Sequence, residues 1–161
     1  MLLFLKNLIF TLLVPGAVSV FVPLLVFSNK APVFSVGVVI GVFLLITGGA
    51  IYLWCILDFA KVGRGTPAPV DPPKQLVVRG LYGYGRNPMY VGVLNVISGW
   101  AFVFHSVTLV IYGVCVATCF HLIVVFYEEP HLEQVFGQNY KKYCTQVNRW
   151  LPSRLSRSGS R

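Results

Sequence analysis

The chain has 161 residues, of which 56% are apolar and 11% charged, against roughly 45–50% and 25% in soluble domains. This is the length of one domain, and the composition excludes an ordinary soluble fold in favour of an integral membrane protein. The net charge of +8 lies mostly in two stretches beside apolar spans. It therefore reads as a topology signal with anionic-lipid contact, and not as a nucleic-acid footprint.

Leu8 to Phe27 carries no ionisable residue and has the roughly 20-residue length of a membrane crossing. Pro15 and Pro23 are expected to kink it or mark its end. A cleaved signal peptide, with Lys6 ahead of the apolar run and Ala17-Val18-Ser19 as the cleavage site, is the competing reading; the run continues past that point, which favours a span. After a short polar turn, Ser28 to Pro32, a second uncharged span runs from Val33 to Leu57. Its Gly37 and Gly41 share a helical face that lets another helix approach closely, within this chain or in a dimer.

Asp58 to Arg79 is the first sizeable polar segment, and its proline-rich run TPAPVDPPK predicts an extended surface crossing. Asn87-Pro88 is a helix start, with Asn favoured at the N-cap and Pro at the first helical position. The third span follows from Met89 to Phe104, His105-Ser106 forms a tip, and Val107 to Tyr127 returns as the fourth. Glu128, Glu129 and Glu133 come next, and Pro130 is expected to break the helix or restart it. Beyond it, Leu132, Val135 and Phe136, then Tyr140, Tyr143 and Val147, form the apolar stripe of two short helices lying on the membrane surface and separated by Gly137. Ser153 to Arg161 has the composition of a disordered tail. Cys55, Cys115 and Cys119, all in apolar spans, read as small buried hydrophobes, and with Cys144 they form no metal-ligand pattern.

The chain thus divides into an N-terminal helix pair (1–57), a loop (58–88), a helical hairpin (89–127), an amphipathic segment (128–152) and a tail (153–161). The basic residues sit in the long loop and at the C-terminus, so four spans place both termini and the hairpin mouth on the cytosolic side.

That mouth has two lips. Arg86 lies beside the free N–H groups of the third span's first turn, a setting suited to a carboxylate or phosphate. Glu128 and Glu129 lie where the fourth span ends, against the helix dipole; an external cation, a hydroxyl pair or Arg86 itself would satisfy them. A plain salt bridge closing the hairpin is the competing structural reading. His121, inside an apolar span, reads as a packing residue with one hydrogen bond or as a cavity lining. Trp54, Trp100 and Trp150 fit interfacial anchoring.

The stretches GRGTPAPVDPPKQLVVRGLYGYGRNPMYVG and EEPHLEQVFGQNYKKYCTQVNRWLP resemble the membrane methyltransferases related to isoprenylcysteine carboxyl methyltransferase and the phospholipid N-methyltransferases. Leu76, Val77, Gly80, Tyr82, Arg86, Pro88, Tyr90 and Gly92 match the first part of the family pattern. Glu128, Glu129, Leu132, Phe136, Gly137, Tyr140, Tyr143, Val147, Arg149 and Pro152 match the second. Asn87 stands where the family usually has histidine; Asn can donate a hydrogen bond but does not titrate near neutral pH.

The resemblance implies an all-α polytopic membrane fold of about four transmembrane helices with short interfacial helices at the C-terminus. It implies S-adenosylmethionine as cofactor, and methyl transfer to a lipophilic acceptor from the bilayer: a prenylated cysteine carboxylate, a lipid amine or a thiol. It makes Arg86, Glu128 and Glu129 the candidate catalytic residues, and Leu76, Val77, Gly80, Tyr82, Arg86, Asn87, Pro88, Tyr90, Glu128 and Glu129 the candidate cofactor residues. A noncatalytic scaffold, or a reductase-like relative using a nicotinamide cofactor, is the alternative.

Overall fold

The computed structural model describes residues 12–27, 34–59, 61, 75–150 and 152, and no strand occurs among them. A π-helical stretch, Leu12–Phe21, runs into α1 (Val22–Phe27); α2 spans Val36–Asp58, α3 Pro88–Val103 and α4 Val107–Ile123. A π-turn, Val124–Glu128, joins α4 to α5 (Glu129–Phe136), and α6 (Gln138–Gln146) follows. The TPAPVDPPK run, the Ser28–Pro32 turn and the Ser153–Arg161 tail lie outside the described residues.

Two helices, Val36–Asp58 and the continuous Val107–Phe136, are long and apolar enough to cross a membrane. Pro15–Val26 and Pro88–Val103 are apolar but shorter. Prolines shape the first of these segments. Pro23 lacks the N–H that a π-turn would direct at the Val18 carbonyl, and the Tyr112 hydroxyl of α4 donates to that oxygen at 2.8 Å.

The tightest seam joins α2 to α3, and glycine makes it. A Cβ on Gly41 would lie 2.7 Å from the Gly99 carbonyl oxygen, and one on Gly48 2.7 Å from that of Gly92. The relation is reciprocal: a Cβ on Gly99 would lie 2.8 Å from the Gly41 oxygen, and one on Gly92 3.0 Å from the Gly48 oxygen. The glycine face is therefore spent on packing within the chain, where backbone contact substitutes for side-chain interdigitation. At the far end Ser35, whose hydroxyl accepts from the Val38 N–H to cap α2, also lies 2.9 Å from His105 Nε2.

Three expectations are corrected. Of the two outcomes expected at Pro130 the break does not occur: the proline sits in the first turn of α5, and the π-turn before it, with Glu129 N–H bonded back to the Val124 carbonyl, lets the chain pass it without an α-helical clash. Cys115 and Cys119 are exposed on α4, and only Cys55 is fully buried. Val135 points outward at 54% exposure, so the apolar face of the C-terminal helices is Leu132, Phe136, Tyr140, Tyr143 and Val147, packed with Leu76 and Cys144. Gly137, at φ +52°, supplies the left-handed turn that folds α6 back for this packing.

Candidate functional site

Arg86, Asn87, Tyr90, Glu128 and Glu129 converge at one end of α3 and α4, together with a segment beyond α6 that the sequence reading left out of the site. Asn87 occupies the N-cap position and Pro88 the first turn of α3, as their types predict. The Asn87 side chain makes no capping bond; its Nδ2 donates to the Arg149 carbonyl at 3.2 Å. The Arg86 backbone N–H donates to the Asn148 carbonyl at 3.0 Å. The chain from Val147 to Trp150 is thereby laid across the start of α3 as a strap.

The two glutamates have different surroundings. Glu129 is held by two arginines: Arg149 donates from Nε at 2.7 Å and from Nη2 at 2.8 Å, one bond to each carboxylate oxygen, and Arg86 Nη1 approaches the same Oε1 at 3.2 Å. The bidentate bond to Glu129 holds the Arg149 guanidinium above its ordinary pKa. Arg86 is the more deeply placed arginine, with 12% of its side chain exposed against 33% for Arg149. Glu128 meets no arginine among the described residues, and one of its oxygens accepts a short bond from the Tyr90 hydroxyl. The structural reading of an Arg86–glutamate bridge thus holds for Glu129 alone.

Arg86 is only partly satisfied. Its Nη1 also points at Cys144 Sγ, 2.7 Å away, whereas its Nε is buried with no hydrogen-bond partner among the described residues. A buried guanidinium nitrogen without an acceptor is costly.

The remaining candidates lie behind the mouth. Val77 and Tyr82 are buried with Cys55, and the Tyr82 carbonyl accepts the Tyr143 hydroxyl at 2.7 Å. Burial raises the Tyr143 phenol above its usual pKa, with Arg86 pulling the other way. Gly80 has φ +61°, and its open side faces the Asp58 carboxylate and the Trp54 indole, so its role here is a backbone turn against Asp58. Leu76 lines a separate open cavity of about 490 Å³ with Phe136, Lys142 and Tyr143. These four shape the wall that carries Arg86.

Sequence reasoning missed Arg149 and Trp150 as site residues, although Arg149 matched the family pattern. Trp150 Nε1 donates to His121 Nδ1 at 3.2 Å, and its ring lies 6.4 Å from that of Tyr90, which in turn lies 4.4 Å from Phe120. The signal available was the dense Arg-Trp pair directly after an amphipathic helix.

The described residues form an apolar helical bundle whose charged end combines an arginine, a helix start and a glutamate pair. The chain belongs to the phospholipid methyltransferase family, whose model matches residues 36–139. That match takes in α2, the mouth residues from Arg86 to Glu129 and α5, and stops short of the strap. No curated protein and no solved structure matches the chain.

Proposed function

We propose that this protein transfers a methyl group from S-adenosylmethionine to a lipophilic acceptor that reaches the mouth from the bilayer. The observation that carries this reading is the unequal pairing of the charges. Glu129 is taken by two arginines, which leaves, among the described residues, Glu128 held only by a neutral hydroxyl and Arg86 with a buried Nε that has no partner. The mouth thus sets a carboxylate that no described arginine holds beside a guanidinium whose bonding is incomplete, and a zwitterion has one group for each.

The residues present fit the cofactor. Arg86 and the free N–H groups at the start of α3 suit its carboxylate, and Glu128 suits its ammonium or ribose hydroxyls. Asn87, committed to the Arg149 carbonyl, orients the strap, so a hydrogen-bonding residue in place of the family's histidine is sufficient for that task. When bound, S-adenosylmethionine supplies an electrophilic methyl group on a sulfonium, already a good leaving group. The protein's part is to orient the reactants and exclude water, with no covalent intermediate on the enzyme.

In this reading the four apolar segments cross the membrane, with the basic loop and C-terminal segment cytosolic. At 16 residues, α3 is about 24 Å long, shorter than the roughly 30 Å hydrocarbon core. Its mouth end therefore lies within the cytosolic leaflet, where a lipid acceptor and a soluble cofactor meet.

Equilibrium binding of S-adenosylmethionine to the detergent-purified protein tests the proposal. Arg86→Ala and Glu128→Ala are each expected to weaken binding tenfold or more, about 1.4 kcal/mol, without loss of folding, since Glu129 keeps Arg149. A wild-type protein that binds a nicotinamide cofactor and not S-adenosylmethionine would refute it.

A further inference from the structure

α4 presents to its surroundings one imidazole in an otherwise apolar run, VTLVIYGVCVATCFHLI. His121 is exposed, which in a membrane-facing helix leaves a polar ring where hydrocarbon is the alternative neighbour, a costly position for an unpaired donor. It is nevertheless held in a definite state. An indole N–H can only donate, so the 3.2 Å bond from Trp150 Nε1 requires a lone pair on His121 Nδ1. The neutral ring therefore carries its proton on Nε2, which has no partner among the described residues. The Trp150 ring lies beside the imidazole, tilted by 35° with centroids 6.1 Å apart, and leads on to Tyr90, which packs against Phe120 and donates to Glu128. A fixed N–H donor thus sits on an aromatic ledge that leads into the mouth.

We infer that His121, oriented by Trp150, is the acceptor-side contact of this protein and donates from Nε2 to an anionic oxygen, carboxylate or phosphodiester, on the headgroup of a lipid acceptor. The inference rests on the methyl-transfer reading and extends it to the substrate. The tautomer matters: a ring protonated at Nε2 offers no base there, so this site grips an anionic oxygen and does not deprotonate an ammonium. The aromatic ledge contacts the adjoining chain, and the strap contributes to both halves of the site, with Arg149 at Glu129 and Trp150 at His121.

The test uses the full chain in uncharged detergent with Trp54→Phe and Trp100→Phe, which leaves Trp150 as the single tryptophan. Its emission is titrated with N-acetyl-S-farnesyl-cysteine, whose oxygen is a carboxylate, and separately with phosphatidylmethanol, whose oxygen is a phosphodiester and which carries no ammonium. The farnesyl-cysteine methyl ester and diacylglycerol are the matched uncharged controls. One anionic lipid is expected to shift the emission saturably while its uncharged control does not, and which one responds names the source of the oxygen. His121→Leu is expected to weaken that response at least tenfold with unchanged thermal stability and S-adenosylmethionine affinity, and His121→Gln, which keeps a donor, to restore part of it. No saturable response to either anionic lipid, an equal response to the controls, or an equal response in His121→Leu would overturn the inference. Failure of the wild-type chain to bind S-adenosylmethionine would instead remove the methyl-transfer reading, and the two results are read from separate titrations.

Discussion

Replacing Glu129 and Glu128 in turn separates a structural carboxylate from a binding one. In Glu129→Ala, Arg86 loses its only carboxylate partner among the described residues while 12% exposed, and Arg149 loses both of its bonds while a third exposed. Breaking a largely buried pair by deleting one partner costs about 3–5 kcal/mol. Arg149 can turn to water, so its share is about that of an exposed pair, ~0–1 kcal/mol. Because Glu129 itself is 20% exposed, the lower end of the buried range applies, and about 3–4 kcal/mol is expected in total. For a chain of this length that is a fall of roughly 6–16 °C in Tm at about 2–4 °C per kcal/mol. Glu128→Gln keeps an acceptor for the Tyr90 hydroxyl, so it is expected to cost about 1 kcal/mol, yet to lose tenfold or more in S-adenosylmethionine affinity. Thermal unfolding in detergent and cofactor titration measure the two quantities on the same samples. A Glu129→Ala protein that unfolds within about 2 °C of wild type, or a Glu128→Gln variant that is the less stable of the two, would refute the division of roles.

Two further predictions concern the scaffold. Gly48→Leu would drive a side chain into the Gly92 carbonyl across the α2–α3 seam; overpacking of this kind costs about 1–3 kcal/mol or more, and the variant is expected to unfold at lower temperature and to lose cofactor binding with it, whereas Gly49→Leu, which meets nothing within 4 Å, is expected to do neither. Gly80→Ala combines a left-handed φ, worth about 1–2 kcal/mol against a non-glycine residue, with a clash at Asp58; reduced stability and a displaced Arg86 wall, read as weaker S-adenosylmethionine binding, are expected, and unchanged values for both would remove the role given to this turn.

Much of the fold is legible in the chain because its causes are local. Uncharged runs of the right length, the Asn87-Pro88 start, Ser106 accepting from the Leu109 N–H at the tip and Gly137 as a left-handed stop all act within a few residues of themselves. Glycine spacing in α2 announces a close approach but not its partner, since Gly92 and Gly99 are opposite only once α3 has folded back. Of the break or new helix start expected at Pro130, only the start is found, for a similar reason: the compensating π-turn lies in the preceding five residues, whose composition carries no mark of it.

The sequence by itself determined that an arginine, a helix start and two glutamates gather at one end of an apolar hairpin, because the tip at His105-Ser106 turns α4 back along α3. Only the tertiary structure decided which glutamate is available. Arg149 lies 20 residues from Glu129, and its reach depends on the turn at Gly137, on the Tyr140–Tyr143–Val147 face packing against Leu76, and on two backbone carbonyls held by Arg86 and Asn87. Those long-range contacts commit Glu129 to two arginines and leave Glu128 paired with the Tyr90 hydroxyl.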